Sequence, residues 1–167
     1  MQIVSLLFAL AGATLAPAAA SPASSASLVG TWRLIAYEEW LPNGSVERPF
    51  GDTPSGYLVY DDTGHMHLQV MRTPPMVDFP GAGDGTGDPL LIQAAYQGYV
   101  AYYGTYTVDW SHQVVTHHVE GSLQPDYTAT DQPRSFQLAS DHFIIQEHDP
   151  LTGACELREW VRVRSPK

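Results

Sequence analysis

From residue 30 onward the chain alternates apolar and polar side chains over short runs, and clusters of turn-forming residues separate the runs. Successive side chains of a strand point to opposite sides, so each run sorts into two faces. In HMHLQVMR (65–72), Met66, Leu68, Val70 and Arg72 share one face, and His65, His67, Gln69 and Met71 the other. In VVTHHVEGSL (114–123), Val115, His117, Val119 and Leu123 lie opposite Thr116, His118, Glu120 and Ser122. The apolar face is the expected core face. His117 is therefore predicted to point inward, and its neighbour His118, with Glu120, to point to solvent. In AYYGTYTV (101–108), Tyr102, Gly104 and Tyr106 share a face.

The same alternation predicts strands over 30–41, 56–60, 65–72, 101–108, 114–123, 133–138, 142–148 and 155–164. Short turns join most of them, among them Asp61-Asp62-Thr63-Gly64, with glycine where positive φ is wanted. Eight strands in this pattern predict an all-β fold, an eight-stranded antiparallel up-and-down barrel. Such a barrel is just wide enough to be filled by its own side chains or to hold one small ligand. Two stretches break the pattern. Residues 73–87 (TPPMVDFPGAGDGTG) have no periodicity and are expected to form a long mobile loop, a candidate lid with Met76 and Phe79 as apolar contacts. Residues 88–98 begin with Asp88 as N-cap and Pro89 at the first helical position, which predicts one short helix at an end or side of the barrel.

Composition narrows the function. Residues 1–20 hold an uncharged apolar run, 3–15, followed by Ala18-Ala19-Ala20, the pattern of a secretory signal peptide; 21–27 reads as a disordered leader, and 28–164 as a single domain. The chain is therefore expected to be secreted or to reside in the secretory pathway. The formal net charge of −10 argues against nucleic acid or an anionic membrane as partner. Cys155 is the only cysteine, so no internal disulfide can form, and it reads as structural. Asn43-Gly44-Ser45 is both a glycosylation sequon and a good turn.

Several motifs in order, GTWRLIAYE, GYLVYDDTGHMHLQVMR, GYVAYYGTYTVD and VVTHHVEGSL with the following Asp131-Gln132-Pro133-Arg134, carry a resemblance that runs from Leu28 to about Val163. The chain resembles the lipocalin-like domain family of small bacterial and fungal proteins. The resemblance implies a barrel that handles small, largely apolar organic molecules. It implies that Trp32 of Gly30-Thr31-Trp32 plugs the closed end, with Arg158, Arg162 or Arg164 packed on it. By analogy, the resemblance also admits catalysis, since related fungal and bacterial barrels are sometimes recruited as cofactor-free cyclases or isomerases in natural-product pathways.

Three kinds of chemistry compete on these faces. His117, with Tyr60 and Tyr102 or Tyr106, makes an acid–base set inside a barrel, since a neutral imidazole can move a proton near neutral pH; equally, His117 is a core histidine satisfied by a tyrosine hydroxyl. Tyr106, His118, Glu120, Arg72, His65 and His67 are candidate ligand contacts, Arg72 suiting a carboxylate at the barrel mouth. Arg33 is a second candidate for such a contact. His65-x-His67 with Glu120 or His118 has the spacing of a metal pair, but its face is the solvent face, and neither metal nor cofactor is expected. Gly104 between Tyr102 and Tyr106 marks either a gap for a flat ligand or a bulge. There is no nucleophile elbow, phosphate loop or dinucleotide fingerprint. The leading expectation is binding of a small apolar or aromatic organic molecule by a monomer or homodimer. The alternatives are a cofactor-independent isomerase or cyclase, and an interaction protein whose barrel is full.

Overall fold

The computed structural model describes residues 27–164, so the expected signal peptide lies outside the described residues. Strands run β1 (Gly30–Trp40), β2 (Val46–Glu47), β3 (Ser55–Tyr60), β4 (His65–Met71), β5 (Tyr99–Asp109), β6 (Val114–Ser122), β7 (Asp131–Ala139), β8 (His142–His148) and β9 (Cys155–Arg162), with helix α1 (Pro89–Gln97) between β4 and β5. All pairings are antiparallel, and β9 returns to β1, from Trp32 opposite Arg162 to Trp40 opposite Cys155, which closes the wall. Two-residue β2 adds to the end of β1 only, so the barrel has eight strands as expected.

The closed end is built on carbon. Trp32, Phe143 and Trp160 are fully buried there, and Trp32 lies 5.2 Å from Phe143 between ring centroids. Of the three candidate arginines, Arg162 covers the plug: its guanidinium sits 4.1 Å from the Trp32 ring and donates to the Val29 and Ser27 carbonyls at 2.7 Å each. The Trp32 indole N–H donates to Leu28 O at 2.8 Å. The hairpin turn below β3 is set by Asp61, whose carboxylate accepts from the Thr63 and His65 amides, while Gly64 takes φ +89°.

Two bulges change which side chains face inward. In β1 the register slips between Leu34 and Ala36, so that Tyr37, rather than Ala36, continues the buried face of Trp32 and Leu34. In β6 the pairing passes from Gly121 to Val119 opposite Tyr103 and Gly104, leaving Glu120 as the extra, exposed residue. Gly104 belongs to this bulge: a Cβ there would collide with the His118 carbonyl oxygen, so the glycine reflects close backbone approach and not a slot for a flat ligand.

Helix α1 starts as expected, with the Asp88 carboxylate accepting the Leu90 amide at 2.8 Å, and buries none of its side chains. Residues Met76 to Phe79 and Ala82 line a groove together with Ile92 and Ala95 of this helix.

Candidate functional site

The cavity suited to a guest lies at the open end, where β1 finishes and β9 begins, and encloses about 300 Å³. The centre of the barrel is filled by Leu34, Leu58, Tyr60, Val115, His117 and Ile145, all essentially inaccessible. The space for a guest therefore lies above the core rather than at the middle of the barrel. Leu68, Val70 and Val100 form an aliphatic wall, Phe50, Tyr37, Tyr102 and Tyr127 an aromatic one, and Glu39, Gln124, Glu156 and Arg158 supply polar groups. This volume is at the lower limit of ligand pockets, which run from about 300 to 1,000 Å³. No residue of 73–87 lines it, so Met76 and Phe79 do not cap it.

Beneath the cavity, three strands bring one imidazole and two phenols together. His117 from β6 is fully buried; its Nε2 lies 2.7 Å from the Tyr60 hydroxyl of β3, and its Nδ1 2.8 Å from the Tyr102 hydroxyl of β5. Burial, with the positive fields of Arg134 and Arg158 and a smaller one from His118, lowers the imidazole pKa to about 3, so it is neutral at physiological pH. Burial likewise pushes the phenols of Tyr60 and Tyr102 up. Only Tyr102 of the three lines the cavity. Tyr106 stands apart from the relay: its hydroxyl donates to the Asp61 carbonyl oxygen at 2.9 Å, at the closed end of the barrel.

A charged network flanks the cavity floor. Glu147 accepts from Arg134 at 2.6 Å and from Arg158 at 3.2 Å; Arg158 also pairs with Glu156, and the Tyr37 hydroxyl donates to Glu156 at 2.7 Å. Burial alone would raise the Glu156 pKa, but Arg158 and the Tyr37 hydrogen bond outweigh it and hold the carboxyl below its ordinary value. Glu39, at the rim, is held above its ordinary value by partial burial and by Glu156, Glu47 and Asp149 nearby.

Several expected contacts lie elsewhere. His65 and His67 are on the outer face of β4, both exposed, with His65 Nδ1 2.7 Å from the Thr63 hydroxyl. Among the described residues no group of three or more His, Cys, Asp or Glu is placed to hold a metal ion. His118 faces outward, between Asp131 at 2.6 Å and Thr107 at 3.0 Å, and Glu120 projects to solvent from the bulge. Arg33 is exposed on the outer face of β1. Arg72 lines a separate groove of about 510 Å³ between the loop and α1, whose walls include the 77% exposed Val77, outside the barrel. None of the five candidate contacts lines this cavity: His65, His67 and His118 lie on the outer faces that the strand period predicts, Glu120 is the exposed extra residue of the β6 bulge, and Arg72, expected at the barrel mouth, is turned instead to the groove beside α1. Tyr37, Glu156 and Arg158 were not anticipated as lining residues. For Glu156 and Arg158 the signal was a charged residue in phase with apolar ones, as Arg158 is with Trp160; Tyr37 had none, because the bulge after Leu34 turns it inward.

The sequence model of one family, the lipocalin-like domain, matches residues 29–160. No curated protein matches the chain.

Proposed function

The chain belongs to the lipocalin-like domain family, and from that premise we propose that it binds one small, mostly apolar organic molecule of about single-ring size at the barrel mouth. The observation that carries this reading is the cavity of about 300 Å³ with aliphatic and aromatic walls on a sealed core. Burying such a guest removes apolar surface from water at about 25 cal/mol per Å². The walls are strand residues, so little ordering is needed on binding. The apolar N-terminal run 3–15 supports export of the domain, which N-terminal sequencing of the mature protein checks.

Isomerase or cyclase activity draws on the same Tyr60–His117–Tyr102 relay, but binding has the better support. A catalytic acid or base works best with a pKa near the operating pH, and His117 is neither near that range nor in contact with the cavity. Native mass spectrometry of protein from its own producer tests the binding reading. We expect a non-covalent adduct of low mass that is missing from a Val100→Trp variant, in which the indole fills the cavity. Absence of an adduct from both, with no aromatic probe binding either, contradicts the reading.

A further inference from the structure

Tyr60, His117 and Tyr102 carry three transferable protons, one on each phenol and one on the neutral ring, and share two hydrogen bonds. One proton is therefore left over, and it sits at one end of the chain. If Nε2 holds the ring proton, it donates to the Tyr60 oxygen, and the Tyr60 O–H is left over. If Nδ1 holds it, Tyr60 donates to Nε2, the ring donates to Tyr102, and the Tyr102 O–H is left over. Tyr60 is fully buried, and His117 is its single hydrogen-bond partner among the described residues. A leftover proton there would be an unmet donor in the core, which costs its full desolvation. Tyr102 is buried too, at 4% exposed, but it is the one of the three that lines the cavity, so a leftover proton at this end has space beside it where water or a guest can accept it.

We infer that His117 is fixed in its Nδ1–H form and that Tyr102 presents its hydroxyl proton to the cavity as a donor subsite for a neutral carbonyl-type oxygen. The guest is thus a single-ring compound bearing a ketone, aldehyde or ester oxygen. This rests on the binding reading above and names the ligand class it takes. A carboxylate fits less well, because Glu39 and Glu156 line the same cavity and the Arg158 cation is already paired with Glu147 and Glu156. His117 and Tyr60 are positioning residues: they orient the hydroxyl of Tyr102 and do not touch the guest.

Nitrogen NMR of His117 in the free protein reads the tautomer, and titration with acetophenone, α-methylstyrene (the same shape with a methylene for the carbonyl oxygen) and benzoate reads the subsite. The expected results are a protonated Nδ1 and a carbonyl carbon resonance of bound acetophenone downfield of its position in cyclohexane. Tyr102→Phe is expected to weaken acetophenone about fivefold and α-methylstyrene by less than about twofold. An Nε2–H tautomer, an unshifted carbonyl resonance or equal losses for both probes overturns the donor subsite and leaves the binding reading standing. Benzoate binding tighter than acetophenone overturns the preference for a neutral guest. Binding of no probe overturns the binding reading and the subsite with it. Where Tyr102→Phe does not fold, the tautomer and the carbonyl resonance of the wild-type complex still decide.

Discussion

Trp32, Phe143 and Trp160 fill the closed end of the barrel with carbon, whereas at the open end Arg134, Glu147, Glu156 and Arg158 bring charge into the same lumen. The difference separates stability from function. Rings packed without voids gain free energy from every apolar contact and leave no room for a guest. Buried ion pairs come close to breaking even, because desolvation offsets their attraction, so the network at the mouth adds little to stability beside the cavity it flanks. The relay of Tyr60, His117 and Tyr102 lies between the two ends, with Tyr60 and His117 sealed in the core and Tyr102 at the edge of the cavity.

Truncation of the plug should break the comparison most severely. Trp32→Ala removes a buried indole from the floor and is expected to cost about 3–5 kcal/mol in denaturant unfolding. At temperatures where the variant is folded, the affinity of the mouth for acetophenone should be unchanged. Arg158→Met at the mouth should reverse that pattern. It leaves Glu156 and Glu147 short of a partner, and with their side chains 32% and 25% exposed the loss should be about 2 kcal/mol, below the 3–5 of a fully buried pair. Guest affinity should fall in this variant, as titration would show.

The sealed histidine gives the comparison a pH dependence. Its pKa is 6.5 when free of the fold and about 3 inside it. Above 6.5 both states are neutral and His117 adds no slope. As pH falls from 6.5 toward 3, the unfolded chain takes up a proton that the folded one refuses, so stability declines by at most about 1.4 kcal/mol per pH unit. Urea unfolding of wild type and His117→Gln between pH 7 and 4 should show a steeper decline in wild type; parallel curves would contradict the buried neutral imidazole. Smallest of all, His67→Ala and His118→Ala on the outer wall should shift stability by no more than about 0.5 kcal/mol and leave guest affinity as it was.

The barrel was legible in the chain because its strands keep a strict period of two against an apolar core, as in Met66, Leu68 and Val70. The same rule turned His117 inward and His118 outward, and brought Tyr60 and Tyr102 onto inner faces with it. Where the period slips, sequence reading lost the site. Tyr37 and Glu39 line the cavity because of the bulge after Leu34, and no local residue pattern announces that extra residue. Arg134, Glu147 and Arg158 kept the period, in phase with Phe136, Ile145 and Trp160, but a charge on an apolar face signals a buried network only once its partners on other strands are known. Tyr106 had the right face and the wrong height, its hydroxyl claimed by the Asp61 carbonyl near the floor.

Methyl NMR during an acetophenone titration tests the division between a filled floor and an open mouth most directly. Leu68, Val70 and Val100 methyl resonances should move in a saturable way while those of Leu34, Leu58 and Ile145 stay fixed. Movement of the deep methyls with the mouth methyls unperturbed, or no saturable movement of either set, would contradict a guest held above a sealed core.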